Sequence, residues 1–123
     1  MMYELRATAS GKESVCERVL RLIDAHLGED LTSARIGAEL GYHPVHLNRV
    51  VRLRYGESLH ALVLRRRLER AAVLLSETDM SVTEIAHAPG FFDCAHFSRL
   101  FKRKMGVVPR AYRTRTASVP DDA

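Results

Sequence analysis

The chain has 123 residues, enough for one compact domain or two very small ones that share a helix. Hydrophobic residues make up 46% and no run of about 18 apolar ones occurs, which excludes global disorder and a membrane-spanning helix. A formal net charge of +4 and a pI near 9.4 point only weakly to a polyanionic partner, because many basic proteins bind nothing acidic.

The predicted elements are nearly all helical. Residues 1–12 are polar and are expected to form a flexible tail. A first helix is predicted from about Glu13 to Leu27, with Val15, Val19, Ile23 and Leu27 recurring every four residues and Gly28 offering a stop. Thr32 or Ser33 caps a second helix that reaches Leu40 before Gly41 breaks it. Pro44 suits the first turn of a third helix, where its missing N–H costs nothing, and that helix continues to Gly56.

A long fourth helix is predicted over 58–76, with an apolar stripe of Leu64, Leu68, Ala71, Ala72 and Leu75. Ser81 caps a fifth helix, and Glu84 three residues on completes a capping box. Asp93 caps a sixth helix that ends near Gly106, and a short seventh begins near Pro109. Residues 114–123 are expected to form a second flexible tail. The expectation is an all-α chain of about seven helices.

The sequence repeats itself. I-G-A-E-L-G-Y at 36–42 matches I-A-H-A-P-G-F at 85–91, offset by 49. H-L-N-R-V-V-R-L-R-Y-G at 46–56 matches H-F-S-R-L-F-K-R-K-M-G at 96–106, offset by 50. The second copy thus has one extra residue between its two helices. In each copy a small residue (Gly37, Ala86) stands four before a turn glycine (Gly41, Gly90). The small residue lets two helices approach, and the glycine takes a left-handed turn without steric penalty. That is a helix-turn-helix. Two subdomains follow, 13–57 and 77–113, joined by the linker helix 58–76.

Charge is distributed to match. Residues 1–42 hold five Lys/Arg against seven Asp/Glu, whereas 96–115 hold seven Lys/Arg and no acid. Further clusters are Arg49, Arg52 and Arg54, then Arg65, Arg66, Arg67 and Arg70. Basic charge gathered on particular segments is what a phosphate-facing surface needs.

Over about residues 14–113 the chain resembles the DNA-binding region of the AraC/XylS family of transcription regulators. The segment V-T-E-I-A-H-A-P-G-F-F-D-C-A-H-F-S-R-L-F-K-R-K-M-G-V-V-P-R-A-Y-R at 82–113 carries the likeness. Gly90-Phe91, Phe97, Phe101-Lys102, Gly106, Pro109, Tyr112 and Arg113 fall where that family's C-terminal signature places them, and R-R-L-E-R-A-A-V-L-L at 66–75 looks like its linker helix. Departures are Pro89, one before the turn glycine, Val51 for a usual Phe, Gly37 for a usual Ala, and Ala95 for a small polar residue. Pro89 is expected to end the fifth helix early or distort it. Gly37 and Val51 lead us to expect looser packing in the first unit.

The resemblance implies sequence-specific binding of double-stranded DNA by the third and sixth helices. About 19 linker residues at ~1.5 Å each span about 28 Å, against about 34 Å between successive major-groove faces. Allowing for the width of each unit, adjacent major-groove segments are within one monomer's reach. Val45, His46, Asn48 and Arg49 in the third helix and Ala95, His96 and Arg99 in the sixth are candidate base contacts. Asn pairs bidentately with adenine, Arg with guanine, and Val meets a thymine methyl. Arg52, Arg54, Lys102, Arg103, Lys104 and Arg113 are candidate phosphate contacts, which position without specifying. The two helices differ in sequence, so the site should be directional. The resemblance also implies activation through contact with RNA polymerase.

Other readings are weaker. His43 with His46, and Cys94 with His96, lack third and fourth metal ligands at useful spacing, so no metal or other cofactor is expected. No phosphate loop, paired carboxylates or nucleophile constellation indicates an enzyme. A helix-turn-helix that binds a protein partner would expose apolar or acidic faces on the third and sixth helices, opposite to what is written. No aromatic platform for RNA stands out. Two isolated cysteines and no signal-peptide pattern at the N-terminus fit a cytoplasmic, nucleoid-associated protein without a membrane partner. No small-molecule effector site is visible, so the chain is either a stand-alone regulator or the DNA-binding half of a larger, effector-sensing one.

Overall fold

A computed structural model of the chain describes residues 14–91 and 93–118. The expected tail 1–12, and 119–123 of the expected tail at the other end, lie outside the described residues. Among the described residues there are seven helices and no strand. These residues divide between two compact units, one with 14–26 and Leu31–Val63, the other with Leu27–Asp30 and the described residues from Leu64.

The first unit holds α1 (Val15–Ala25), α2 (Ser33–Leu40) and α3 (Pro44–Tyr55). Ser14 caps α1 through a capping box with Glu17, so the helix begins at Val15, two positions after the predicted start. Thr32, not Ser33, caps α2, its hydroxyl accepting from the Arg35 N–H at 3.0 Å. Glycines Gly41 and Gly56 end α2 and α3 at φ +80° and +74°. Helix α1 packs against α2 and α3, burying Cys16, Val19, Ile23, Ile36, Leu47 and Val51. Burial pushes the Cys16 thiol up, with Arg54 opposing and Glu17 adding to the effect.

The turn between α2 and α3 corrects the expectation of looser packing. Gly37 is buried, and a Cβ built there would collide with the Tyr42 carbonyl oxygen and meet the Pro44 nitrogen at 3.4 Å. Both Gly41 and Tyr42 donate their N–H to the Gly37 carbonyl at 2.8 Å, so the chain closes directly over this residue. The methyl that Ala86 carries in the second unit has no room here. Gly37→Ala is therefore expected to lower stability by about 1–3 kcal/mol through overpacking, even though alanine is the better helix former by about 1 kcal/mol. Equilibrium urea unfolding checks this; a neutral or stabilising result would mean the turn yields freely.

Helix α4 (Leu59–Glu77) contributes residues 59–63 to the first unit and the rest to the second. The second unit adds α5 (Val82–His87), α6 (Cys94–Met105) and α7 (Pro109–Ser118). Its core is Leu68, Ala71, Leu75, Ile85, Ala86 and the aromatic series Phe91, Phe97 and Phe101. Ring centroids stand 4.9 Å apart for Phe91–Phe97 and 5.5 Å for Phe97–Phe101, and Tyr112 of α7 meets Phe101 edge-on at 5.3 Å. That edge contact helps seat α7, which continues five residues beyond 113 into the stretch expected to be a tail.

Residues 27–30 precede α2 in sequence but pack with the second unit. The Arg67 guanidinium donates from Nε to the Leu27 carbonyl at 3.0 Å and from Nη2 to the Glu29 carbonyl at 2.7 Å. A Cβ on Gly90 would lie 2.6 Å from the Leu27 carbonyl oxygen, and one on Gly28 would lie 3.1 Å from that of Ala88. Gly28 is thus a site of close approach. It is not the predicted stop, because His26 caps α1 and Gly28 has no positive φ.

Pro89 shortens α5 as expected. The helix has six residues against eight in α2 and ends at His87. The turn nevertheless closes on the equivalent bond, Phe91 N–H to the Ala86 carbonyl at 3.2 Å, matching Tyr42 to Gly37. Gly90 donates to His87 at 3.2 Å, whereas Gly41 reaches the carbonyl four residues back. A missing N–H at the last turn removes one bond without undoing the motif.

Candidate nucleic-acid interface

Helices α3 and α6 follow the turns in their respective units, and each has 12 residues. Each starts on a capped first turn. The His43 Nδ1 accepts from the Val45 N–H at 3.1 Å, and the Asp93 carboxylate from the His96 N–H at 2.6 Å. Each ends in a left-handed glycine, Gly56 and Gly106, whose N–H bonds to the carbonyl four residues back at 2.8 Å. Leu47 and Val51 anchor α3, and Phe97 and Phe101, 50 positions later, anchor α6.

The outward faces follow from those anchors. On α3, Val45, Arg49 and Arg52 share a face at i, i+4 and i+7, and all three are exposed. On α6 the same spacing presents Ala95, Arg99 and Lys102, again exposed. Arg54, Arg103 and Lys104 are also exposed, with the Arg54 guanidinium 5.9 Å from the centre of the Tyr55 ring. Arg52, Arg54, Lys102, Arg103 and Lys104 occupy last turns, where cations also favour the negative helix end. Leu53, which sequence reasoning passed over, is 82% exposed beside them, and Val45 is 63% exposed.

The two histidines differ. His46 is exposed and stacks on Tyr42 at 5.7 Å. His96 is half-buried, edge-on to Phe91 at 6.3 Å, with a buried Nδ1 that has no hydrogen-bond partner. Only the remainder of its ring can face a ligand.

Several expected contacts are engaged within the protein. The Asn48 Oδ1 accepts from the Leu59 N–H at 2.9 Å, capping the start of α4. That bond takes one lone pair of the oxygen and ties the side chain to α4, so a bidentate adenine contact would have to share the same oxygen. The equivalent of Leu59 in the second unit is Pro109, which has no N–H to satisfy, and Ser98 stands in place of Asn48. Arg113 donates from Nε to the Leu75 carbonyl at 3.0 Å and from Nη2 to Thr78 at 3.2 Å, so it caps the end of α4. Arg65 and Arg66 both pair with Glu69, at 3.0 and 2.9 Å, and Arg67 holds the 27–30 loop. The 65–67 cluster therefore serves the fold.

No helix among the described residues is long and apolar enough to cross a membrane. Within the described residues, no three His, Cys, Asp or Glu side chains gather as a metal site.

Residues 17–115 match a helix-turn-helix domain family. The probable transcription factor PqrA of Proteus vulgaris is 33% identical over 111 residues, covering 89% of this chain and 90% of PqrA. The regulatory protein PocR of Salmonella typhimurium is 32% identical over 101 residues, 82% of this chain but 33% of PocR. The chain thus spans nearly all of one relative and about a third of another. A solved regulator from Chromobacterium violaceum, described as having an AraC-type DNA-binding domain, superposes with TM-score 0.82 at 27% identity, covering 86% of this chain and 95% of that one. The DNA-binding domain of AdpA, solved with a target DNA, gives TM-score 0.77 at 25% identity, covering 84% and 93%. With its seven helices, its repeated turns and these relatives, the chain belongs to the AraC family of helix-turn-helix, DNA-binding transcription regulators.

Proposed function

We propose that α3 and α6 are the recognition helices and that each enters a major-groove segment of duplex DNA, the two segments being adjacent. The observation that carries this reading is that both helices pair a buried anchor face with an exposed cationic face in the same register. Val45, His46 and Arg49, and Ala95, His96 and Arg99, would face base edges. Arg52, Arg54, Lys102, Arg103 and Lys104 would face phosphates. Asn48 is assigned to positioning α3 against α4, and Arg113 is left out of the phosphate set because its donors hold Leu75 and Thr78. AdpA's solved complex with a target DNA supports the duplex as ligand. Activation through RNA polymerase would follow DNA binding, in this region alone or as part of a longer regulator. An in vitro transcription assay on a selected site, with and without the protein, tests that step.

Binding itself is tested by selection from a random duplex pool followed by footprinting. Two boxes about 10 bp apart are expected. No enrichment at low salt would remove the reading. Single substitutions then separate the two kinds of contact. Arg99→Ala should weaken binding by about 1–3 kcal/mol and relax one base position, whereas Lys102→Ala should weaken all sequences alike and flatten the salt dependence by about one ion. Fluorescence anisotropy across a salt series reads both. An Arg99→Ala protein with unchanged affinity and preference would take α6 out of the groove.

A further inference from the structure

The chemistry at matched positions of α3 and α6 says how the two DNA boxes relate to each other. Helix α3 starts at Pro44 and α6 at Cys94, and every residue of one has a counterpart 50 positions later in the other. Across all twelve positions the pattern of buried, half-buried and exposed residues is the same except at His46 and His96. Each exposed side chain on α3 therefore leaves its helix at the same angle to the buried face as its counterpart on α6. Equal geometry makes differences in side chain directly readable as differences in preferred base.

Of the exposed pairs, Arg49 and Arg99 alone are identical. The others are Val45 with Ala95, Arg52 with Lys102, Leu53 with Arg103, and Arg54 with Lys104. The histidine pair is identical in type but not in setting, since His46 stands out against Tyr42 while His96 turns its Nδ1 inward near Phe91. An arginine fork is matched bidentately by guanine O6 and N7. One turn nearer the helix start, Val45 offers two methyls to a thymine methyl, whereas Ala95 offers one and reaches less far. One extra methyl contact corresponds to about fourfold preference for thymine over cytosine.

We infer that the two boxes share a guanine, held in the same register by Arg49 in one and Arg99 in the other, and differ at the neighbouring base. That base is thymine where Val45 faces it and is weakly selected where Ala95 does. The inference rests on the reading of α3 and α6 as recognition helices, and it adds that the operator is a partial repeat.

The test is selection from a random duplex pool with four proteins: the unaltered chain, Arg49→Ala, Arg99→Ala, and the paired exchange Val45→Ala with Ala95→Val. All four positions are exposed, and circular dichroism checks that each variant is folded. The unaltered chain should enrich two guanine-containing boxes, with thymine beside the guanine in one. Arg49→Ala should release the guanine in that box alone and Arg99→Ala the guanine in the other, each weakening the parent site by about 5–150-fold. The paired exchange should move the thymine preference to the other box. Two boxes without a common guanine, or a thymine preference that stays put on exchange, would overturn the inference and leave DNA binding intact. No enrichment by the unaltered chain would overturn both.

Discussion

Gly90→Ala is expected to destabilise the second unit by about 2–5 kcal/mol, from two separable penalties. The first is backbone. Gly90 sits at φ +89°, where a residue with a Cβ loses roughly 1–2 kcal/mol. The second is packing. The new Cβ would stand 2.6 Å from the Leu27 carbonyl oxygen and 3.1 Å from the Gly28 Cα, both backbone atoms, and Arg67 bonds to the first and to the Glu29 carbonyl beyond the second. Overpacking of that kind typically costs about 1–3 kcal/mol. Gly106→Ala is the control, because φ is +86° there but nothing lies within 4 Å of the added carbon. Only the backbone penalty should appear. Urea unfolding of both variants gives the comparison, and equal losses would show that the 27–30 loop does not press on the turn. A loss of this size is a large fraction of the stability of a typical domain, about 5–15 kcal/mol.

The helices and their ends were legible because their signals are local. Thr32, Ser81 and Asp93 cap within three residues, and Gly41, Gly56 and Gly106 stop helices where they stand, whereas Ser14, the cap of α1, was passed over. Even Pro89 acted as its chemistry dictates, shortening α5. The exposed faces of α3 and α6 were legible for the same reason, since burial follows the 3.6-residue period. What escaped were the partners of polar groups distant in sequence. The Asn48 oxygen accepts from the Leu59 N–H and the Arg113 guanidinium donates to the Leu75 and Thr78 carbonyls, partners that no local pattern announces. Arg67 looked like one cation in a solvated run, yet its partners are 38 and 40 residues away. Gly37 misled in the opposite direction, because absence of a methyl implies looseness only if the space stays open, and Tyr42 fills it. His43 as the cap of α3 carried one signal, its place just before Pro44.

Arg67 carries the other large effect. Arg67→Met keeps the aliphatic stem and removes both donors, so the Leu27 and Glu29 carbonyls lose their partners together. Hydrogen bonds to a charged group contribute about 1.5–3 kcal/mol each. Glu29 is exposed and its carbonyl can turn to water, so the expected loss is about 2–4 kcal/mol, short of two full bonds. Burial already pushes the Arg67 guanidinium below the usual arginine range, with Asp30 opposing. That is the mark of a cation taken partly out of water to serve an internal contact. Arg67→Lys should recover only part of the loss, because one ammonium lacks the rigid fork that holds two carbonyls at once. Arg66→Met is the comparison on the same helix. Its pairing with Glu69 is a partly exposed ion pair, worth about 0–1 kcal/mol. Hydrogen exchange sharpens the test. Because the 27–30 loop backs the turn at Ala88 and Gly90, Arg67→Met should speed exchange at the Phe91 amide, which closes that turn on Ala86, more than at its counterpart Tyr42. If Arg67→Met were as stable as Arg66→Met and Phe91 kept its protection, the guanidinium would be a bystander and the loop would be held by packing alone.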